Sequence, residues 1–194
     1  MGKAEITRQF IIEKSAPIFN KLGYAGTSIN DLTQATGLTK GSIYGNFENK
    51  DEVALAAFTF NVAKMSSYFD SEMSQVVSCR EKLMVYPNLY EAFFSGNFPE
   101  GGCPILNTAV ESDDTHPKLK ILAKKAFLNW KSTIATIVAS GIEKGEFKTS
   151  TNAEATAMTI LALIEGGTMI AKLTENETHL LMITTHIKTI INEL

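Results

Sequence analysis

Apolar residues recur along this chain at intervals of three and four, and no stretch sustains two-residue alternation, which predicts an all-α protein. A first helix is expected over 3–22, with Ile6, Phe10, Ile18, Phe19 and Leu22 as its inner face. Pro17 should kink it or weaken one turn, and Gly23 stands where a C-terminal cap belongs. Ser28 with Asp31 three positions on resembles a capping box and opens a short helix over 29–36. Gly37 breaks that helix, and Thr39 caps a second short one, on which Ile43 and Phe47 fall four apart on one face. Asn49 with Glu52 repeats the start signal for a long helix over 50–78. Further helices are expected over 79–95, 104–113, 117–144, 152–172 and 178–192, between turn-like segments. Short helices with small polar residues give way to long amphipathic ones near 47–49, which divides the chain into domains 1–48 and 49–194.

Two short helices joined by a glycine turn, each giving apolar residues to a core shared with the first helix, are what a helix-turn-helix requires. Ile29, Leu32, Ala35, Leu38, Ile43 and Phe47 supply that core. The other side of the second short helix shows Thr39, Lys40, Gly41, Ser42, Tyr44 and Asn46, a set of donors, acceptors and one cation suited to base edges and phosphates. Spacing alone equally fits two solvated helices of a bundle. Tyr44 has a second reading as a ring packed over the first helix, and Ser28 and Thr39 as caps only.

Charge adds to the picture once it is divided. The 194 residues carry a net −3, but residues 1–50 hold six Lys/Arg against four acids, a net of +2, leaving twelve against seventeen, −5, beyond. A basic region on an acidic molecule is compatible with DNA, because affinity follows local phosphate contacts more than total charge. A composition 44% apolar and 20% charged excludes a disordered chain. No uncharged apolar run approaches a membrane span, and Lys3, Glu5 and Arg8 stand where a signal peptide would be apolar, so a cytoplasmic protein is expected. Cys79 and Cys103 offer neither metal spacing nor a disulfide framework.

Residues 23–32, GYAGTSINDL, and 35–52, ATGLTKGSIYGNFENKDE, closely resemble the DNA-binding domain of the TetR family of bacterial regulators, and with the preceding helix the likeness covers roughly 5–55. The resemblance implies a repressor-like homodimer of about nine helices per subunit that binds double-stranded operator DNA and releases it when a small effector enters the C-terminal part. It implies phosphate contacts at Thr27 and Ser28, a recognition-helix start at Thr39, Lys40, Gly41 and Ser42, a backbone-contacting Tyr44 and a phosphate-contacting Lys50. Many members carry a larger side chain where this chain has Gly45, which puts more weight on Asn46.

In the C-terminal part, Phe58, Val62, Met65, Phe69, Tyr86, Tyr90, Phe93, Phe94, Phe127, Trp130 and Ile134 are candidates to line a pocket for an apolar or aromatic effector, against the plain reading that such stripes are core. Residues 101–111, GGCPILNTAVE, are similar to a Gly-Cys segment followed by Asn and an acid in one branch of TetR-like C-terminal domains, which adds Cys103 and Asn107. Cys103 stands just before a proline-led helix start, whose positive end favours a thiolate, so a thiol-responsive regulator is an alternative, as is an activator. The last two helices carry more apolar residues than one stripe needs, including Ile160, Leu161, Ile164, Leu180, Ile187 and Ile191, and Gly166-Gly167 would admit a neighbouring backbone; the resemblance makes this pair the dimer interface.

An enzyme would need a nucleophile with its base or a metal site. Cys103, His116 and Glu111 form a thiol triad only on paper, and His179 and His186 lie two turns apart without a further ligand, so no catalysis, metal or cofactor is expected.

Overall fold

In the computed structural model, residues 2–92 and 100–194 are described, and among them stand nine helices and no strand. They are α1 (Lys3–Gly26), α2 (Ile29–Thr36), α3 (Lys40–Tyr44), α4 (Lys50–Met73), α5 (Cys79–Glu91), α6 (Pro104–Ser112), α7 (Pro117–Glu143), α8 (Ala153–Thr174) and α9 (Glu177–Glu193). The chain forms two compact units: residues 1–65 with 99–125, and residues 66–98 with 126–194. The helix-turn-helix therefore belongs to a body larger than segment 1–48, one that takes in the start of α4, all of α6 and the start of α7.

In the first unit, Ile11, Ile12, Ala16 and Phe19 of α1 pack with Leu32 of α2, Ile43 of α3, Phe47, and Val53, Ala54 and Ala57 of α4. The expected inner face of α1 is corrected: Ile6, Phe10 and Leu22 lie outside while Ile11, Ile12 and Ala16 are buried. The helix is apolar on two sides, and a 3.6-residue period alone does not choose between them. Pro17 leaves α1 helical; the break falls at Gly23, with φ +74°. Asn61 of α4 ties the two helices, its Nδ2 donating to the Ala16 carbonyl at 2.8 Å.

In the second unit, α4 ends at Met73, short of the expected 78, because Ser78 caps α5 by accepting from the Glu81 amide while Glu81 bonds back. Phe69, Tyr86, Tyr90 and Trp130 form an aromatic cluster, the Tyr90 and Trp130 rings stacked 6.0 Å apart. Helices α8 and α9 pack together and α9 also lies on α5. Gly167 is what lets α9 approach α8, since a Cβ there would stand 3.2 Å from Ile183 and Leu180 side chains, whereas a Cβ on Gly166 would meet open space. Among the described residues α8 is the one helix that by length and composition would reach across a bilayer, yet it carries Glu154, Glu165 and Lys172 and buries Ala157, Ile160, Leu161 and Ile164 within the unit.

Leu32 is wholly buried at the junction of the three N-terminal helices. Leu32→Ala should cost about 2–5 kcal/mol, read as a lower urea midpoint with an unchanged m-value.

Candidate nucleic-acid interface

Capping chemistry sets the two short helices. The Ser28 hydroxyl accepts from the Asp31 amide at 3.2 Å, and Asp31 Oδ2 accepts from the Ser28 amide and hydroxyl at 2.7 Å each. Those bonds from Ser28 hold the Asp31 carboxyl below its usual range. After the turn at Gly37, Thr39 Oγ1 accepts from the Ser42 amide at 3.1 Å and starts α3. Ile43 faces the core with no exposed surface, and Phe47, one residue past the closing turn, is buried beside it through its amide bond to the Ile43 carbonyl at 3.0 Å. One apolar side chain of α3 thus fixes which side of the helix solvent meets.

That outer side carries Thr39, Lys40, Gly41 and Tyr44, all exposed, with Ser42 and Asn46 half-buried. Lys40 Nζ lies 5.8 Å from the centre of the Tyr44 ring, so cation and phenol share one edge of the helix. Asn46 is partly committed, its Nδ2 donating to the Ser42 carbonyl at 2.9 Å, which leaves Oδ1 and one N–H. Gly45 has right-handed φ −74° and is exposed; its Cβ would meet the Gly41 carbonyl oxygen at 3.3 Å, a close approach that the carbonyl would have to ease slightly.

Two residues expected at phosphate have partners inside the fold. Thr27 is buried, and its hydroxyl donates to the Gly23 carbonyl at 2.6 Å. Lys50 turns its ammonium inward, donating at 2.9 Å to the carbonyls of both Tyr24 and Thr27, 4.1 Å from the Tyr24 ring centre. With two of three donors spent, Lys50 clamps the start of α4 to the α1–α2 corner. Ser28 sits exposed on that corner.

Sequence reasoning passed over Tyr24 and Arg8. The Tyr24 hydroxyl donates to Asp51 Oδ1, and that bond, then burial and the Asp51 charge, push its pKa up to about 12. Arg8 lays its guanidinium 4.4 Å from the centre of the Phe47 ring and pairs with Glu52 Oε1 at 2.8 Å. Tyr24 stood inside the quoted string, and the Asp51 that holds it is near in space but 27 positions away. Nothing in the local pattern around Arg8 signals a partner 44 positions on.

The effector candidates fall in two groups. Phe58, Met65 and Cys103 are buried in the first unit with Val62 and Asn107 half-buried there, while Phe69, Tyr86, Tyr90, Trp130 and Ile134 are buried in the second with Phe127 half-buried. Phe93 and Phe94 lie outside the described residues. Asn107 Nδ2 is turned to α1, at 3.0 Å from the Asn20 carbonyl.

Residues 11–57 match the family model described as bacterial regulatory proteins, tetR family, and residues 79–187 match that of the tetracyclin repressor-like C-terminal domain. The chain is 24% identical over 188 residues to a Bacillus subtilis HTH-type transcriptional regulator, YxaF, covering 96% of each chain. It is 24% identical over 173 residues to the HTH-type transcriptional repressor DhaR of Mycobacterium sp., covering 87% of this chain and 84% of that one. Its fold superposes with a TM-score of 0.95 on the crystal structure of a TetR-family regulator from Cytophaga hutchinsonii, at 43% identity, over 98% of this chain and 96% of that one.

Two titrations should report on the corner. A pKa raised in the folded state gives stability that is complete below the unfolded value near 10 and is lost as pH rises through about 12, so the ultraviolet titration of the phenols should show a step near 12 that is absent from Tyr24→Phe. The Asp31 carboxyl, held low, gives the opposite sign: its contribution is present above the usual carboxylate range and fades as pH falls through the folded value. Asp31→Asn should flatten that acid limb in stability measured against pH.

Proposed function

This chain belongs to the tetR family of bacterial regulatory proteins, and we propose that within this family of DNA-binding transcriptional regulators it is a repressor: a homodimer that holds a two-fold operator and leaves it when a small apolar or aromatic effector binds. The reading is carried by α3, whose Ile43 is fully buried while Thr39, Lys40 and Tyr44 stand exposed on its outer side. A short helix so anchored offers donors and a cation to base edges and phosphate without disturbing its own core. Thr39, Ser42 and Asn46 are assigned to bases, Lys40 and Tyr44 to backbone, and Gly41 to close approach; Ser28 is exposed at the α2 start with its hydroxyl engaged by Asp31, and Lys50 acts through the corner it clamps.

Dimerisation is supported by side chains that the second unit leaves outside. On α8 these are Met158, Met169, Ile170 and Leu173, the last 80% exposed, and on α9 Leu181 and Met182, the last 64% exposed. Exposed apolar residues in such number on two adjacent helices suit a self-complementary contact, which would set two α3 helices about one DNA turn apart, roughly 34 Å. The effector reading rests on the aromatic cluster of Phe69, Tyr86, Tyr90 and Trp130, which favours a flat apolar molecule over a charged one. The repressor assignment follows the name of the Mycobacterium relative. The thiol-responsive alternative draws no support from Cys103, which is 1% exposed.

The deciding experiment is a mobility-shift titration on DNA flanking the encoding gene, at two salt concentrations, joined to a reporter. Repression requires a shift that weakens with salt and a reporter that rises when the gene is deleted; a reporter that falls would make the protein an activator. Lys40→Ala should weaken binding by about 1–3 kcal/mol if Lys40 reads a base, or shrink the salt slope by about one if it holds phosphate. Leu173→Glu with Met182→Glu should give monomers by light scattering and weaken operator binding.

A further inference from the structure

The segment 101–111 has its place against α1. In an unbroken helix the Asn20 carbonyl would accept from the Tyr24 amide. Gly23, at φ +74° and ψ 178°, interrupts that ladder. Both halves of the lost bond are then met by α6. Asn107 Nδ2 donates to the Asn20 carbonyl at 3.0 Å, and Glu111 accepts from the Tyr24 amide at 2.7 Å through Oε2 and from the Ala25 amide at 2.8 Å through Oε1. Asn107 and Glu111 are four apart, hence on one face of α6.

Around this exchange the backbone is fitted to it. A Cβ on Gly23 would stand 2.5 Å from the Glu111 carboxylate, and one on Gly101 would stand 2.9 Å from the Asn20 carbonyl oxygen. The Asn20 side chain, itself buried, donates to the carbonyls of Glu100 and Gly102 at 2.7 and 2.8 Å. The carbonyls that hold Lys50, those of Tyr24 and Thr27, lie on the same corner. Glu111 grips the amide side of Tyr24 and Lys50 the carbonyl side.

We propose that Asn107 and Glu111 are positioning residues for DNA binding: by taking over the hydrogen bond that α1 gives up at Gly23, they set the α1–α2 corner on which Lys50, and through it the helix-turn-helix, is seated. This rests on the DNA-binding reading above. It requires that losing the latch reduce binding to the preferred sequence while leaving the salt-driven, sequence-independent binding in place, since the exposed Lys40 is untouched. It also makes Gly23 and Glu111 two parts of one device. A side chain at position 23 expels the carboxylate and also strains a left-handed backbone, so Gly23→Ala should lose at least what Glu111→Ala loses, and adding Glu111→Ala to it should lose no more.

The test uses the full chain and a duplex that the wild-type protein selects from random sequence, with a scrambled duplex for comparison, at a temperature where circular dichroism shows every variant folded. Glu111→Ala and Gly23→Ala should each lower affinity for the selected duplex about tenfold or more with little change on the scrambled one, the double variant should be no weaker than Gly23→Ala, and Glu111→Gln, which keeps one acceptor oxygen, should fall between wild type and Glu111→Ala. Amide exchange should show Ala25 protected in the wild type and fast in Glu111→Ala. The proposal is overturned if Ala25 exchanges fast in the wild type, if folded Glu111→Ala keeps full affinity for the selected duplex, or if the two losses multiply in the double variant. Failure of the wild type to select any sequence would instead sink the DNA-binding reading, with the exchange result still judging the latch.

Discussion

A lysine ammonium held by two backbone carbonyls fixes the corner from which the DNA-reading unit is built. Lys50 opens α4, and its bonds to Tyr24 and Thr27 join that helix to the turn between α1 and α2. The Tyr24 ring beneath the ammonium gives the charge an aromatic face, and the Tyr24 hydroxyl reaches Asp51, the next residue on α4. Adjacent residues of one helix thus grip a single tyrosine at both ends. The burial of Leu32, Ile43 and Phe47 supplies most of the cohesion, because apolar area removed from water is the large favourable term, but it is indifferent to small rotations. The polar bonds at the corner are directional and set the angle at which α2 and α3 leave it.

Much of this was legible in the sequence where the physics is local. Ser28 with Asp31 and Thr39 before Lys40 are capping signals that act within four residues, and the Thr39 start and the Ile43 anchor followed from them, whereas the Ser78–Glu81 cap that opens α5 was not read and the helix before it was drawn too long. The face of α1 was not legible, since Ile6 and Phe10 are as apolar as Ile11 and Ile12 and only the partner helices decide which go inside. Lys50 shows the other limit. The resemblance implied a phosphate contact for Lys50, and nothing within its own helix announces that two carbonyls over twenty positions earlier also hold its ammonium. Likewise the break in α1 belongs to Gly23 and not to Pro17, because α1 absorbs a missing amide at Pro17, whereas a positive φ cannot be continued as helix.

The second unit follows a different economy. Its interior is filled with rings and branched aliphatic side chains, yet Leu173 and Met182 remain in solvent on α8 and α9. Gly167 resolves the two faces of α8: toward α9 it is pressed against Ile183 and Leu180, and beside it Gly166 looks outward into open space. The pair of glycines expected to serve one interface therefore points in two directions, one turned to the chain's own α9 and one away from it.

Gly45 has an implication of another kind. Its backbone is right-handed and the residue is exposed at the end of α3, so a side chain there has only the Gly41 carbonyl oxygen, 3.3 Å from its Cβ, to ease aside. Any side chain introduced there would gain helix propensity over glycine and reach directly toward whatever α3 faces. On the proposed reading of α3 as the helix that meets DNA, a substitution at position 45 would change that surface for little more than the easing of one carbonyl contact.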